Sequence, residues 1–266
     1  MQVIEEPIKI LLLAAVGFAA GGFGALAGVG GGIIITPVLV IYFGVPLHQA
    51  IGVSLVSVIA TSTATSSVHV EKRVTDIRLG MTLELATTLG AAAAAIVAAY
   101  VSKRALALLF VGFLLYSASS LVKRAWGARK EALQTEIPPY EPQNYPVGLL
   151  ASLGAGAFSG LLGVGGGVIK VPVMYMFMHV PLRVATATSN FTIGVTAATG
   201  AYIYYGRGDV NVGITAAVVA GVFAGSLIGA RLAPKVRSVY VLALFIGITV
   251  LLAIQMLYRL MTGVIA

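Results

Sequence analysis

Apolar residues fall into ten runs, at 8–27, 33–44, 50–68, 79–101 and 105–122, then 147–162, 168–179, 184–205, 210–233 and 238–258. A helix rises about 1.5 Å per residue, so about 20 residues cross a ~30 Å hydrocarbon core. Most of the runs approach that length. The runs at 33–44 and 168–179 do not, and each directly follows a cluster of glycines. They read as half-helices or re-entrant pieces that start near mid-membrane. The pattern predicts an all-α polytopic membrane protein.

The two short runs share more than their length. Gly28-Val29-Gly30-Gly31-Gly32-Ile33-Ile34-Ile35-Thr36-Pro37 returns as Gly163-Val164-Gly165-Gly166-Gly167-Val168-Ile169-Lys170-Val171-Pro172. Val45-Pro46-Leu47 matches Val180-Pro181-Leu182, Ser54 matches Ser189, and Thr61 matches Thr196. Beyond a short gap, Arg73 to Asp76 falls opposite Arg207 to Asp209. The chain therefore divides into a first transmembrane repeat over 1–122, a charged, proline-rich linker over 123–146, and a second repeat over 147–266. A short interfacial helix around Trp126 fits the start of the linker.

Two arrangements satisfy the run lengths. If each short run crosses fully, each repeat has five crossings, and the odd number inverts one repeat relative to the other. If each short run is re-entrant, the repeats have four crossings and run parallel. Lys and Arg in the loops do not choose between them by the positive-inside rule. The inverted 5+5 arrangement is preferred because it brings both glycine runs face to face at the midplane.

Composition narrows the class. The chain is 59% hydrophobic and only 10% charged, against about 25% charged in soluble domains. The mean hydropathy is +0.99, so the membrane is the natural solvent. The net charge of +8 is spread over short loops without a basic face or interleaved aromatics, which excludes a nucleic-acid footprint. With no cysteine, disulfides, thiolate metal sites and cysteine nucleophiles are excluded. Residues 1–9 carry Glu5, Glu6 and Pro7 with one lysine. That is a poor signal-peptide n-region, and the first apolar run is expected to be retained. No Gly-Lys-Ser/Thr, His-x-x-x-His, Gly-x-Ser-x-Gly or intramembrane carboxylate pair is present. No catalytic residue and no metal site is expected.

Candidate chemistry sits at the glycine runs. Glycine removes the Cβ and lets backbone or ligand approach closely, and irregular backbone survives in lipid only inside protein or along a wet cavity. A helix resuming after Gly30, Gly31 and Gly32, or after Gly165, Gly166 and Gly167, presents unpaired N–H groups and a positive dipole end. Two such ends would suit a small oxyanion, although helix packing alone also uses glycine, as at Gly17/Gly21, Gly156/Gly160 and Gly221/Gly225/Gly229. A glycine-broken segment in matching places of two halves points to a transporter's binding site.

Lys170 stands where the first copy has Ile35, and an intramembrane lysine marks a pathway or site by default. Ser54, Ser57 and Thr61 share one helical face by spacing, and Ser189, Asn190 and Thr192 follow in the second copy. These groups are candidate anion ligands, with interhelical hydrogen bonding as the alternative. His48, Arg183 and Glu84 are candidate gate or coupling residues. Asp76 and Asp209 read as helix-start residues, and Tyr202, Tyr204 and Tyr205 as an interfacial aromatic belt.

The doubled Gly-x-Gly-Gly-Gly-x4-Pro, each copy followed by Pro-Leu and an Ala-x-x-x-Ser stretch, resembles the TauE/SafE family. These are the sulfite and organosulfonate exporters, also called the toluene sulfonate uptake permease family. The resemblance covers nearly the whole chain. It implies a multi-pass inner-membrane secondary transporter for sulfur-containing anions such as sulfite or sulfoacetate, exporting by alternating access, without cofactor or ATPase domain. The alternatives are a passive anion channel or a permease for a different small anion. The expected partners are the anionic substrate and the lipid bilayer, with a homodimer as the candidate oligomer and no nucleic acid.

Overall fold

The computed structural model describes residues 7–71, 74–131, 139–233 and 238–263. Its helices are α1 (Pro7–Ala27), α2 (Gly32–Tyr42), α3 (Leu47–Glu71), α4 (Ile77–Val97), α5 (Lys103–Glu131), α6 (Tyr145–Leu162), α7 (Gly167–Met176), α8 (Leu182–Gly206), α9 (Val212–Leu232) and α10 (Ser238–Met261). There is no strand among the described residues.

Seven of these helices are long and apolar enough to cross a membrane. α8 has the length as well, but its Thr-Ala-Thr-Ser-Asn-Phe-Thr stretch dilutes the apolar content. The surface is apolar where lipid would lie, with Leu11, Leu85, Leu89, Leu150, Leu251 and Ile254 exposed. A soluble protein rarely leaves so many large apolar side chains uncovered.

Glycine lets the helices pack backbone to backbone. Gly17 and Gly21 of α1 lie against Val218 and Val222 of α9, so these two helices run in the same direction. Gly156 and Gly160 of α6 meet Thr87 and Ala91 of α4, and that pair also runs together. α3 and α8 cross oppositely, with Ser62 bonded to the Asn190 carbonyl at 2.6 Å and Leu55 against Gly200. α3 follows α9, with Gly52 near Val210 and Ser226 donating to Thr61 at 3.3 Å. α4 follows α8, with Gly80 near Thr188 and Thr192. Thus α1, α3 and α9 run one way, and α4, α6 and α8 run the other.

The half-helices begin inside this frame. Gly31 lies beside Ala20, in the interior of α1, and Gly30 beside Val58, midway along α3. α2 then returns to the start of α3, where the Val45 amide donates to the Leu39 carbonyl at 3.1 Å. Gly166 lies beside Ala155, midway along α6. α7 ends at the opposite face, where Asn144 Nδ2 donates to the Phe177 carbonyl at 2.8 Å. α2 and α7 therefore leave the middle of the bundle toward opposite faces.

Three local details depart from the sequence reading. α5 continues through Lys123 to Glu131, because Ala, Arg, Lys and Glu all favour helix and the first proline comes later. The Trp126 region is thus part of α5. Asp76 does cap α4, accepting from the Leu79 amide at 2.9 Å, but Asn211 rather than Asp209 caps α9. Tyr202 and Tyr205 are exposed, whereas Tyr204 is buried with the Arg207 guanidinium 4.1 Å from its ring centroid. Arg73 lies outside the described residues.

Candidate functional site

The two glycine runs touch. A Cβ on Gly32 would run into the Gly163 carbonyl oxygen and come within 2.7 Å of Ser54 Oγ. A Cβ on Gly167 would meet the Gly28 oxygen at 2.7 Å and Ser189 Oγ at 3.0 Å. Gly30 and Gly165 have φ of +74° and +81°, a conformation that disfavours side chains, and both lie against Val58. The break between α1 and α2 thus packs on the break between α6 and α7, with the N-termini of the half-helices at the contact.

The hydroxyls around this contact divide by partner. Ser54 Oγ donates to the Gly163 carbonyl at 2.6 Å, tying α3 to the second glycine run. Ser57 Oγ turns to its own helix and donates to the Val53 carbonyl at 2.8 Å. Ser189 Oγ and Asn190 Oδ1 are buried without a hydrogen-bond partner, as are Thr36 Oγ1 and Ser159 Oγ. Buried polar atoms are nearly always satisfied by protein or water.

Lys170 lies one turn into α7 with 2% of its surface exposed, and Glu84 of α4 shows 3%. Lys170 Nζ is 2.8 Å from Glu84 Oε2. It also donates to Thr192 Oγ1 at 2.8 Å, which in turn donates a hydrogen bond to the Ser189 carbonyl at 3.3 Å. Glu84 Oε1 accepts from the Thr196 hydroxyl and from Thr88 Oγ1 at 3.4 Å. One α7 ammonium, one α4 carboxylate and two α8 hydroxyls therefore make one network. Removing a lone charge from water costs several kcal/mol or more, and a partner with further hydrogen bonds offsets much of that.

The remaining candidates lie at the faces. His48 Nε2 is 3.2 Å from the Ala98 carbonyl, while Arg183 is exposed at the start of α8. These two sit at opposite ends of the bundle and do not meet. Arg207, not singled out from sequence as a site residue, donates to the Ala95 carbonyl at 2.7 Å and pairs with Asp209 at 3.1 Å. At the other face Tyr140 donates to Asp76 Oδ2 at 3.0 Å. No group of three or more His, Cys, Asp or Glu that could hold a metal occurs among the described residues.

Helices broken at mid-depth, a buried ion pair beside them and an apolar exterior define a polytopic membrane transporter. The sequence model described as "Sulfite exporter TauE/SafE" matches residues 13–256, and the chain belongs to that family. The chain is 28% identical to "Probable membrane transporter protein YunE" of Bacillus subtilis, covering 95% of this chain and 98% of the relative. It is 30% identical to a "Probable membrane transporter protein" of Xylella fastidiosa, covering 94% of each. No solved structure matches the chain.

Proposed function

We propose that this protein is a secondary transporter for small sulfur-containing anions, sulfite or organosulfonates, exporting them across the inner membrane by alternating access. The observation that carries the reading is the meeting of two half-helix N-termini beside a buried lysine. Helix N-termini and an ammonium both favour an anion. The sulfur chemistry is supported by the family's description as sulfite exporters. Gly30, Gly31, Gly32, Gly165, Gly166, Gly167 and Lys170 are the proposed anion-binding groups, with Ser54, Ser57, Ser189, Asn190 and Thr192 around them.

The proposed frame is two inverted five-helix repeats, over 1–122 and 147–266, joined by the linker. Matched packing supports it. The α1–α9 pair has its counterpart in α6–α4, and the contact of Gly32 with Gly163 has its counterpart in Gly167 with Gly28. α1 and α6 run in opposite directions, as inversion requires. Rocking one set of helices against the other would open the glycine contact first to one face and then to the other.

A thermal-shift screen of the purified protein tests the substrate class. Sulfite or sulfoacetate should raise the melting temperature, and sulfate and carboxylate analogues should raise it less. Stabilisation by carboxylates alone would contradict the reading.

A further inference from the structure

We propose that the anion takes the place of Glu84 on Lys170 while Glu84 takes up a proton, so that binding of each singly charged anion takes up one proton. The inference rests on the reading of Lys170 as the anion's seat.

The geometry supplies the exchange. Lys170 and Glu84 are the buried ammonium and carboxylate of the described interior, and at 2.8 Å they leave it electrically neutral. An anion entering beside Lys170 would bring uncompensated negative charge into a region where charge is costly. A proton on Glu84 restores neutrality. Before the exchange the interior holds an ammonium and a carboxylate; afterwards it holds an ammonium, the anion and a carboxylic acid. The net charge is zero in both.

The hydrogen bonds allow the same step. Lys170 bonds Oε2, whereas the Thr196 and Thr88 hydroxyls bond Oε1. The oxygen that the lysine vacates is the one that takes the proton from solution, and Oε1 keeps its donors. Thr192 Oγ1, 2.8 Å from Nζ, already spends its hydrogen on the Ser189 carbonyl.

No other described charge faces Glu84. α7 brings Lys170, α8 brings the hydroxyls of Thr192 and Thr196, and α4 itself brings Thr88. α6 contains no charged residue, and its one titratable residue, Tyr145, lies at its first position. Arg207 is engaged with Ala95, toward the far end of α4. Asp76 and Arg78 stand at the start of α4, at the opposite face.

Calorimetry tests the coupling. Methanesulfonate, which stays singly charged, is titrated into the purified protein at about pH 7.5 in buffers of differing ionisation heat. The wild type should take up about one proton per anion, and its affinity should rise about tenfold per pH unit fall while Glu84 is ionised in the free protein. Glu84→Gln should abolish both the proton uptake and the pH dependence. Wild-type binding without proton uptake would overturn the coupling alone, and needs no variant to fold. Proton uptake that persists in Glu84→Gln would overturn the assignment to Glu84. Absence of binding by methanesulfonate, sulfoacetate and sulfite alike would overturn the anion-site reading and this inference with it.

Discussion

Lys170 Nζ and Glu84 Oε2 stand 2.8 Å apart in the interior of the bundle, one on a half-helix and the other on a full-length helix. Each charge makes the other tolerable. Lys170→Met or Glu84→Leu alone should lower stability by about 3 kcal/mol or more, because one buried charge loses its partner. The double variant should recover most of that loss. Denaturant unfolding of the four proteins in one detergent gives the comparison, and additive losses in the double variant would show that the pair is not coupled.

The glycine contact makes a separate prediction. Gly32→Ala and Gly156→Ala would each drive a methyl into a facing backbone carbonyl, that of Gly163 and of Thr87 respectively. Both should reduce the folded yield and the melting temperature. Gly112→Ala on α5 meets nothing within 4 Å and should raise stability by up to about 1 kcal/mol through helix propensity. Thermal melts of the three variants separate a packing requirement from a general intolerance of substitution.

The stretch before α6 is tied to α4 by the Tyr140 hydroxyl, which donates to Asp76 at 3.0 Å. Burial, reinforced by the Asp76 carboxylate, pushes Tyr140 up to about 12 from its ordinary 10.0. A raised folded-state value means that this contribution is complete below pH 10.0 and is lost as the pH rises toward about 12. In an ultraviolet tyrosinate titration, Tyr140→Phe should remove one late-titrating group. A difference curve centred near the ordinary tyrosine value would show that the bond to Asp76 does not hold the proton.

The chain contains no cysteine, so single cysteines report topology without a background to remove. In inverted repeats the turn after α4 and the turn after α8 lie at one face, while residues before α6 lie at the other. Ser102→Cys and Gly208→Cys should label with a membrane-impermeant maleimide from the same side, and Gln143→Cys from the opposite side. Parallel four-crossing repeats would instead place Ser102 and Gly208 on opposite sides.

Apolar run length made the helices legible in the sequence, because lipid demands an uninterrupted apolar stretch of nearly constant length. The starts of α2 and α7 were legible for a related reason, since clustered glycine ends one helix and frees the backbone before the next. The Lys170–Glu84 pair was not. Its members are 86 positions apart, and each residue alone reads only as an expensive charge at uncertain depth. The roles of neighbouring hydroxyls were equally hidden. Ser54 and Ser57 share a face by spacing, yet one bonds Gly163 and the other its own helix. Rotamer choice decides that difference, and periodicity carries no record of it. Tyr204 was not legible either: an aromatic cluster near a helix end suits a lipid interface, whereas this ring is buried with the Arg207 guanidinium over it.

Counterflow in proteoliposomes tests the central claim, that the glycine contact and Lys170 together handle a sulfur-containing anion. Vesicles preloaded with unlabelled sulfite should accumulate radiolabelled sulfite through the wild-type protein. Lys170→Met, reconstituted to the same density and with its folding checked, should lower that accumulation about tenfold or more, the loss expected for a charge-assisted hydrogen bond. Accumulation unchanged in Lys170→Met would contradict the account.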